Sequence, residues 1–560
     1  MQRVGIPVSR HIGGDVFESF QALNNLIKKN DGIRSFSIKT NSCYDSDAPV
    51  TEGTQTHIRI TNNFHDINQI GETYLRCKWS MKLNIGKTIT IGNNQNVKFF
   101  VGWKNSNECI RQLEVENNNV DCEYLQTESM KEGCAFSAYM PDEEKRNRRY
   151  AHSRWEDVEM GVPGICGKYI DISKTNAAGA ITRESALGDT NGGTKDNAAE
   201  FTFETIIPIN DLCAFQAFEE WPGNLGDIVL KLYFSKQSMV YGFCDPRAVE
   251  EARNFWLGDK TKKIGDTDNI GFEERHTTGD VEYKIAYTRG FVQCGQESRQ
   301  IIETSATLTS NEVGPQCITV SELKLENLYC DVYGYNVTQE CKRNIQALFT
   351  PEHPFIIPAQ HLDVKQMPKT NSAASDYDAD FTYALHNVTD FVVVWPRHNS
   401  DQTCFYNPMV QLLQLRVDGK LFPTNKLENT YDYRFYQMMM NASDLDNYYD
   451  ADKSYANSLT TSIPASWDTN ICVPHDISTF ICTFQAERNT AGYCFDGIET
   501  GNQTVNIALT YRNNSNWYAN VKDVAPQIWF CRDTYWTCDN TNGLKYHKTG
   551  TPPIYASSED

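Results

Sequence analysis

The sequence predicts an all-β chain: two tandem antiparallel β-domains of sandwich or jelly-roll type, with long loops and few helices. Three observations carry that reading. Aromatic residues make up 12% of the 560 positions, with 28 Tyr and 27 Phe, and aromatic side chains suit the half-buried surface of a pleated sheet. Apolar–polar alternation recurs along the chain between Asn, Asp and Gly turn signals. A set of strand patterns also recurs in the same order in the two halves.

In chain order, residues 1–50 read as an N-terminal arm, with the pattern of a short amphipathic helix at 15–29. The first β-domain is expected over 51–295. THIRIT at 56–61 is a strand candidate, and YLRCKWSMKLNI at 74–85 is the clearest one. Leu75, Cys77, Trp79, Met81, Leu83 and Ile85 point one way; Arg76, Lys78, Ser80, Lys82 and Asn84 point the other. A period of two over this length means an antiparallel strand with one face in a core. FFVGW (99–103), QLEVENN (112–118), TFETIIPI (202–209), the run holding Ile228, Leu230, Leu232 and Phe234, and VEYKIAYTRGF (281–291) continue the series. A long connection at 128–200 includes the Gly/Asn/Ala-rich NAAGAITRESALGDTNGGTKDNAAE, and long loops of this kind are commonly functional or interacting. DPRAVEEARNFWLG at 245–258 predicts a helix: Asp245 as N-cap, Pro246 at the first turn, Gly258 as stop, and an apolar stripe of Val249, Ala252, Phe255 and Trp256.

A linker is expected at 296–315 and the second β-domain at 316–543. Its strand candidates are VSELKLENL (320–328), PFIIPA (354–359), FVVVW (391–395), QLRVDGK (414–420), TFICTFQA (479–486), the run with Val505, Ile507, Leu509 and Tyr511, and APQIWFC (525–531). A long loop is expected at 426–470 and an extended tail at 544–560. Four elements match between the halves: FFVGW with FVVVW, QLEVENN with QLRVDGK, TFETIIPI with TFICTFQA, and 228–234 with 505–511. Their offsets are 292, 302, 277 and 277 residues. Offsets that drift while order is kept are what a duplication with altered loops leaves behind.

Composition narrows the function. The formal net charge is −20, and a chain that coats nucleic acid through its phosphates is normally basic; direct sequence-specific nucleic-acid binding is not expected. There is no apolar run of the roughly 18 residues that a membrane-spanning helix needs, and MQRVGIPVSRHIGGDVF lacks the apolar core of a signal peptide. Folding in the cell interior, without secretion through a signal peptide, is therefore expected. The 18 cysteines lie singly between Cys43 and Cys538, without a CxxC pair, and read as reduced, mostly buried thiols. Five N-x-S/T sequons, at Asn336, Asn387, Asn441, Asn502 and Asn513, read as chance matches in an Asn-rich chain.

The catalytic templates go unfilled. Gly86-Lys87-Thr88 resembles the end of a phosphate loop, but the glycine required five positions earlier is Met81. GxSxG, HxH and HExxH are absent. Glu219-Glu220-Trp221 sets carboxylates beside an aromatic ring, as a glycosidase would, yet neighbours on a strand face opposite ways. Asp444, Asp446, Asp450 and Asp452 form an acidic cluster without the glycine and terminal glutamate of an EF-hand. Lys145, Arg146, Arg148 and Arg149 follow Asp142, Glu143 and Glu144, a mixed-charge loop rather than a phosphate site. The expectation is a structural or binding protein: no enzyme, no catalytic residue, no cofactor, no metal.

The chain resembles double jelly-roll major capsid proteins, in particular those of Maverick/Polinton elements and virophages in the adenovirus-hexon lineage. The resemblance rests on VGWKNSNECIRQLEVENNNVDCEYLQ (101–126), with its strand, short helical turn, strand and Asn-rich turn, and on ICTFQAERNTAGYCFDGIETGNQTVNIALTYR (481–512). It implies two eight-stranded jelly rolls side by side, a homotrimer of pseudo-hexagonal outline tiling an icosahedral shell, and a place in the virion. Its implied partners are copies of itself and penton and minor capsid proteins. Two other readings stand beside it. One is a carbohydrate-binding or hydrolytic β-sandwich using Tyr448, Tyr449 or Trp517 as a platform; the other is a transient viral scaffold of the same fold. The cysteine count is not something the resemblance accounts for.

Overall fold

The computed structural model describes residues 35–44, 50–51, 55–60, 64–85, 98–103, 106–117, 124–138, 166–171, 198–235, 238, 240–244, 291–293, 318–369, 376–396, 405, 410–427, 481–486, 497–513 and 525–550. In chain order the first group of strands is β1 (Ser35–Tyr44), β2 (Val50–Thr51), β3 (Gln55–Ile60), β4 (Ile67–Ile85), β5 (Lys98–Trp103), β6 (Ile110–Asn117) and β7 (Tyr124–Gln126). After helix α1 (Ser129–Ala138) come β8 (Cys166–Asp171), β9 (Ala198–Pro208), β10 (Glu220–Pro222), β11 (Ile228–Phe234), β12 (Val240–Cys244), β13 (Phe291–Gln293) and β14 (Ile318–Asn336). Helix α2 (Gln339–Leu348) then leads into β15 (Phe355–Gln366), β16 (Asp376–Ala384), β17 (Val388–Val394), β18 (Val410–Val417) and β19 (Lys420–Leu427). The last four are β20 (Cys482–Gln485), β21 (Thr504–Asn513), β22 (Gln527–Asp539) and β23 (Gly543–His547).

Two jelly rolls emerge when eight principal strands are taken in each half. In the first roll they are β1, β3, β4, β6, β7, β9, β11 and β14. One sheet runs β1-β14-β4-β9, which is the first, eighth, third and sixth strand; the facing sheet runs β3-β11-β6-β7, the second, seventh, fourth and fifth. The second roll repeats this with β15-β22-β17-β20 against β16-β21-β18-β19. Interleaving early and late strands in this way is the jelly-roll solution to closing an antiparallel sandwich.

The alternation read in β4 sets its faces. Leu75, Cys77 and Trp79 are buried, while Arg76 and Lys78 keep about two fifths of their side chains exposed, at 42% and 44%. Trp79 lies between the sheets: its ring meets Phe234 of the facing sheet at 5.1 Å and Trp103 at 5.5 Å, and its Nε1 donates to Thr205 Oγ1 at 2.9 Å. The second core is built likewise from Phe391, Val393, Leu413, Leu415, Ile507, Leu509, Ile528 and Phe530. Asp418 and Gly419, with φ of 47° and 75°, form the two-residue turn joining β18 to β19, the geometry that an Asp-Gly pair favours in a hairpin. At Gly334 in β14, a Cβ would sit 2.5 Å from the Ile67 carbonyl oxygen; only glycine lets the two strands approach there.

The strand matches from sequence divide three to one. QLEVENN and QLRVDGK fall on the fourth strands, TFETIIPI and TFICTFQA overlap the sixth, and 228–234 and 505–511 fall on the seventh. FFVGW and FVVVW are not equivalent. FVVVW lies largely in β17, a third strand of the second roll, whereas FFVGW is β5 in an added sheet, β13-β12-β5-β8. The strands of this sheet come from the connections after the third, fifth and seventh strands. Successive strands alternate in direction, so those connections leave the roll at one end and can pair there.

Two expected boundaries also move. β14 pairs with β4 from Ile318↔Ile85 to Tyr335↔Ile67. It therefore closes the first roll, although sequence placed VSELKLENL at the opening of a second domain starting at 316. β1 pairs with β14 from Ser35↔Asn336 onward, so 35–44 is a principal strand rather than part of the arm. The expected helices at 15–29 and 245–258 and most of VEYKIAYTRGF lie outside the described residues. Two helices not foreseen from sequence are present. Thr338 caps α2, its Oγ1 accepting from Cys341 N at 3.2 Å; α1 lies at the start of the expected loop 128–200.

Candidate functional site

The most elaborate arrangement of side chains lies where the first roll meets the second. Strands β17 and β22 are buried along essentially their whole length. A strand in a two-sheet sandwich should alternate; one buried on both faces needs a second apolar cover. Here the inner face belongs to the second core, and the outer face is covered by the first roll. Cys134 and Ala135 of α1 pack with Leu362, Val392, Val394, Phe405, Trp529 and Cys531. Small side chains on the helix let its backbone come close to the sheet.

Polar contacts fix the register of this junction. Gln126 Nε2 donates to Leu362 O at 2.9 Å, and His361 Nε2 lies 3.2 Å from Leu125 O. Trp536 Nε1 donates to Ala214 O at 2.9 Å, and its ring stacks on Phe215. Tyr124 meets Tyr546, His361 and Trp536 with centroid separations of 4.8, 5.7 and 5.8 Å. Beside it, Arg532 Nη2 and Asp363 Oδ2 form a buried ion pair at 2.7 Å, and Tyr383 Oη donates to Asp363 Oδ2. Burial and the neighbouring Arg532 push the His361 imidazole down to about 4, so it is neutral at neutral pH.

Glu132 of α1 sits at the centre of these contacts and is 2% exposed. Tyr124 Oη donates to its Oε1 at 3.2 Å, and the Cys213 thiol also bonds to it. Burial raises its carboxyl from 4.5 to about 8, so at pH 7 it is held largely as the neutral acid. A neutral carboxyl can be buried between two domains; a carboxylate there would lack a compensating cation. Chemically, the arrangement is a lock that holds two rolls in one orientation.

The sequence-derived candidates do not gather into a site. Glu220 accepts from Tyr335 Oη at 3.0 Å, and burial raises its carboxyl, while Glu219 is exposed. The two carboxyls do not converge. Gly86-Lys87-Thr88, the 145–149 basic run, Asp444, Asp446, Asp450 and Asp452, and the platform residues Tyr448, Tyr449 and Trp517 lie outside the described residues. Among the described residues no group of three metal-ligating side chains comes together, and no helix is long and apolar enough to cross a membrane. The side chains of nine cysteines are described, and all nine are buried thiols. The junction itself was missed in sequence. Its signal was present in FVVVW and IWFC, runs without alternation that require cover on both faces.

No family model matches the chain, and no curated protein matches it in sequence. Solved structures do. The chain is similar to the mavirus major capsid protein, with 12% identity over 93% of this chain and 92% of that one, at a TM-score of 0.44. It is similar to a chain of the Sputnik virophage structure, with 9% identity over 94% and 91% and a TM-score of 0.49. It is also similar to a chain of the PBCV-1 virus capsid, with 9% identity over 92% and 97% and a TM-score of 0.43.

Proposed function

We propose that the chain is a major capsid protein: a structural, non-enzymatic protein that forms homotrimers of pseudo-hexagonal outline and tiles the icosahedral shell of a DNA virus or virus-like element of the Maverick, Polinton or virophage kind. One observation carries this reading. Two rolls of the same topology are packed head to tail, the fifth-strand side of the first against the outer face of the first-eighth-third-sixth sheet of the second. A contact between unlike surfaces leaves one surface of each kind unused at the chain's two ends. Such contacts propagate until a ring closes. Three chains would bring six similar rolls around one axis, and six-sided tiles fill a shell whose vertices are occupied by pentagonal units. Copies of itself, penton proteins and minor capsid proteins are the partners on this reading, and the virion is its location.

Light scattering of the purified protein should give the mass of three chains, and electron micrographs should show six-sided top views. A chain that stays monomeric at high concentration would overturn the capsid reading in favour of the carbohydrate-binding one. A mature shell protein should also dominate purified particles by proteomics; its absence there would favour the transient scaffold.

A further inference from the structure

A cluster of charge sits beside the junction, at the edge of the second roll where β15 and β16 are the outermost strands of the two facing sheets. His361, Asp363 and Lys365 alternate along β15 and so share one of its faces. Arg532 of β22 stands opposite His361 in the strand register. Tyr383 comes from β16, and Lys548 follows β23. Asp363 is the hub of the cluster. Arg532 Nη2 lies 2.7 Å from its Oδ2, Lys548 Nζ lies 3.8 Å from its Oδ1, and Tyr383 Oη donates to it at 3.1 Å. Lys365 Nζ lies 4.6 Å from the centre of that tyrosine ring.

The charges here do not balance. Arg532, Lys548 and Lys365 are cations, and Asp363 is the carboxylate they share; among the described residues no other carboxylate comes within ion-pair distance of the three. This excess of positive charge stands out in a chain of net charge −20. Arg532 is only 4% exposed, and its Nε has no hydrogen-bond acceptor. His361 is buried too. Its Nε2 donates to Leu125 O, and its Nδ1 has no hydrogen-bond partner. Burial and the adjacent Arg532 hold the Lys548 ammonium below its ordinary value, as they do the His361 imidazole; the cations crowd one another. A guanidinium taken out of water needs acceptors for its N–H groups and an answer to its charge. One carboxylate at one nitrogen leaves part of both unmet. A tetrahedral oxyanion supplies the rest, because its oxygens accept from guanidinium and ammonium donors at once.

We propose that this edge of the second roll binds a small oxyanion of the phosphate or sulfate class, clasped by Arg532, Lys548 and Lys365. The depth of Arg532 suits a free ion rather than the backbone of a nucleic acid. Bound there, the ion ties β15, β22 and the segment after β23 together next to His361. It thereby braces the contact between the second roll and Leu125 of the first. The site belongs to the single chain and does not depend on how chains assemble.

The test is thermal unfolding of the full chain at pH 7, followed by tryptophan fluorescence. Inorganic phosphate is increased while sodium chloride holds the ionic strength constant. The midpoint should rise with phosphate, as mass action requires of a ligand that binds the folded state, and sulfate should act likewise. Lys548→Ala alters a side chain that is 53% exposed, so the variant should fold; it should need about tenfold more phosphate for the same rise. Asp363→Asn removes the competing carboxylate, so it should be less stable in chloride and respond to phosphate at a concentration about tenfold lower. An unmoved wild-type midpoint overturns the site. The same phosphate response in wild type, Lys548→Ala and Asp363→Asn means an adventitious ion only, and overturns it too. Stabilisation by an oligonucleotide of equal total phosphate, without any by the free ion, overturns the free-ion assignment.

Discussion

Replacing Glu132 with glutamine tests whether the junction is held by a protonated carboxyl. In the unfolded chain this group loses its proton near 4.5; in the folded chain it keeps it to about 8. Between those values the folded state binds more protons than the unfolded state, so stability falls as pH rises. Below both values the group is neutral in either state, and above both the full cost has been incurred. The slope approaches about 1.4 kcal/mol per pH unit, and over the whole interval the loss is on the order of 3–5 kcal/mol. Glutamine has nearly the same shape, can accept from Tyr124 Oη, and does not titrate. Other groups facing the site, Tyr124, Tyr546, Cys213, Cys531, His361, Asp363 and Arg532, are common to both proteins and cancel in the comparison. Urea unfolding of wild type and Glu132→Gln, followed by tryptophan fluorescence at several pH values from 4 to 9, reads the difference. The variant should be close to wild type at pH 4, gain on it steadily above pH 5, and level off above pH 8. Parallel pH profiles would refute the reasoning, because the carboxyl would then ionise in the folded protein as it does in water.

Trp79→Ala should destabilise the first roll by roughly 3–5 kcal/mol, since it empties a site between two sheets. Lys78→Ala should cost about 0.5 kcal/mol or less in the isolated chain; equal costs in urea titrations would mean the two faces of β4 are misassigned. Gly334→Ala should destabilise by about 3 kcal/mol or more, or prevent folding, because its Cβ would strike the Ile67 carbonyl; a neutral effect would show that β14 and β4 are not that close. Trp536→Phe removes the bond to Ala214 O and should cost about 1–3 kcal/mol, with faster limited proteolysis between the rolls. The nine cysteines whose side chains are seen buried should resist a thiol reagent in the native protein and react in denaturant, as mass spectrometry of the labelled peptides would show.

Much of each roll was legible in the sequence because its determinants are local. The period of two in β4 put Trp79 inward and Lys78 outward without knowledge of any partner strand. Asp418-Gly419 closes QLRVDGK with a turn signal, and the fourth, sixth and seventh strands match across the two halves because each keeps its pattern of apolar positions. What the pattern could not carry was pairing. FFVGW and FVVVW look alike, yet one belongs to a principal sheet and the other to a sheet built from connections. The 320–328 strand looks like the start of a new domain, but it pairs with β4; the Arg76–Asp331 bond alone spans 255 residues. Alternation says that a strand has a buried face and is silent about which strand lies beside it. The junction lies further still from the sequence. Glu132 reads as one acidic residue in a long polar loop. Tyr124 and Cys213 of the first roll, together with the second roll packed against α1, remove it from water and so turn an ordinary carboxyl into a proton-holding one. A side chain's environment is set by everything packed around it, and for Glu132 part of that packing comes from β22 and β23, some 400 residues later in the chain.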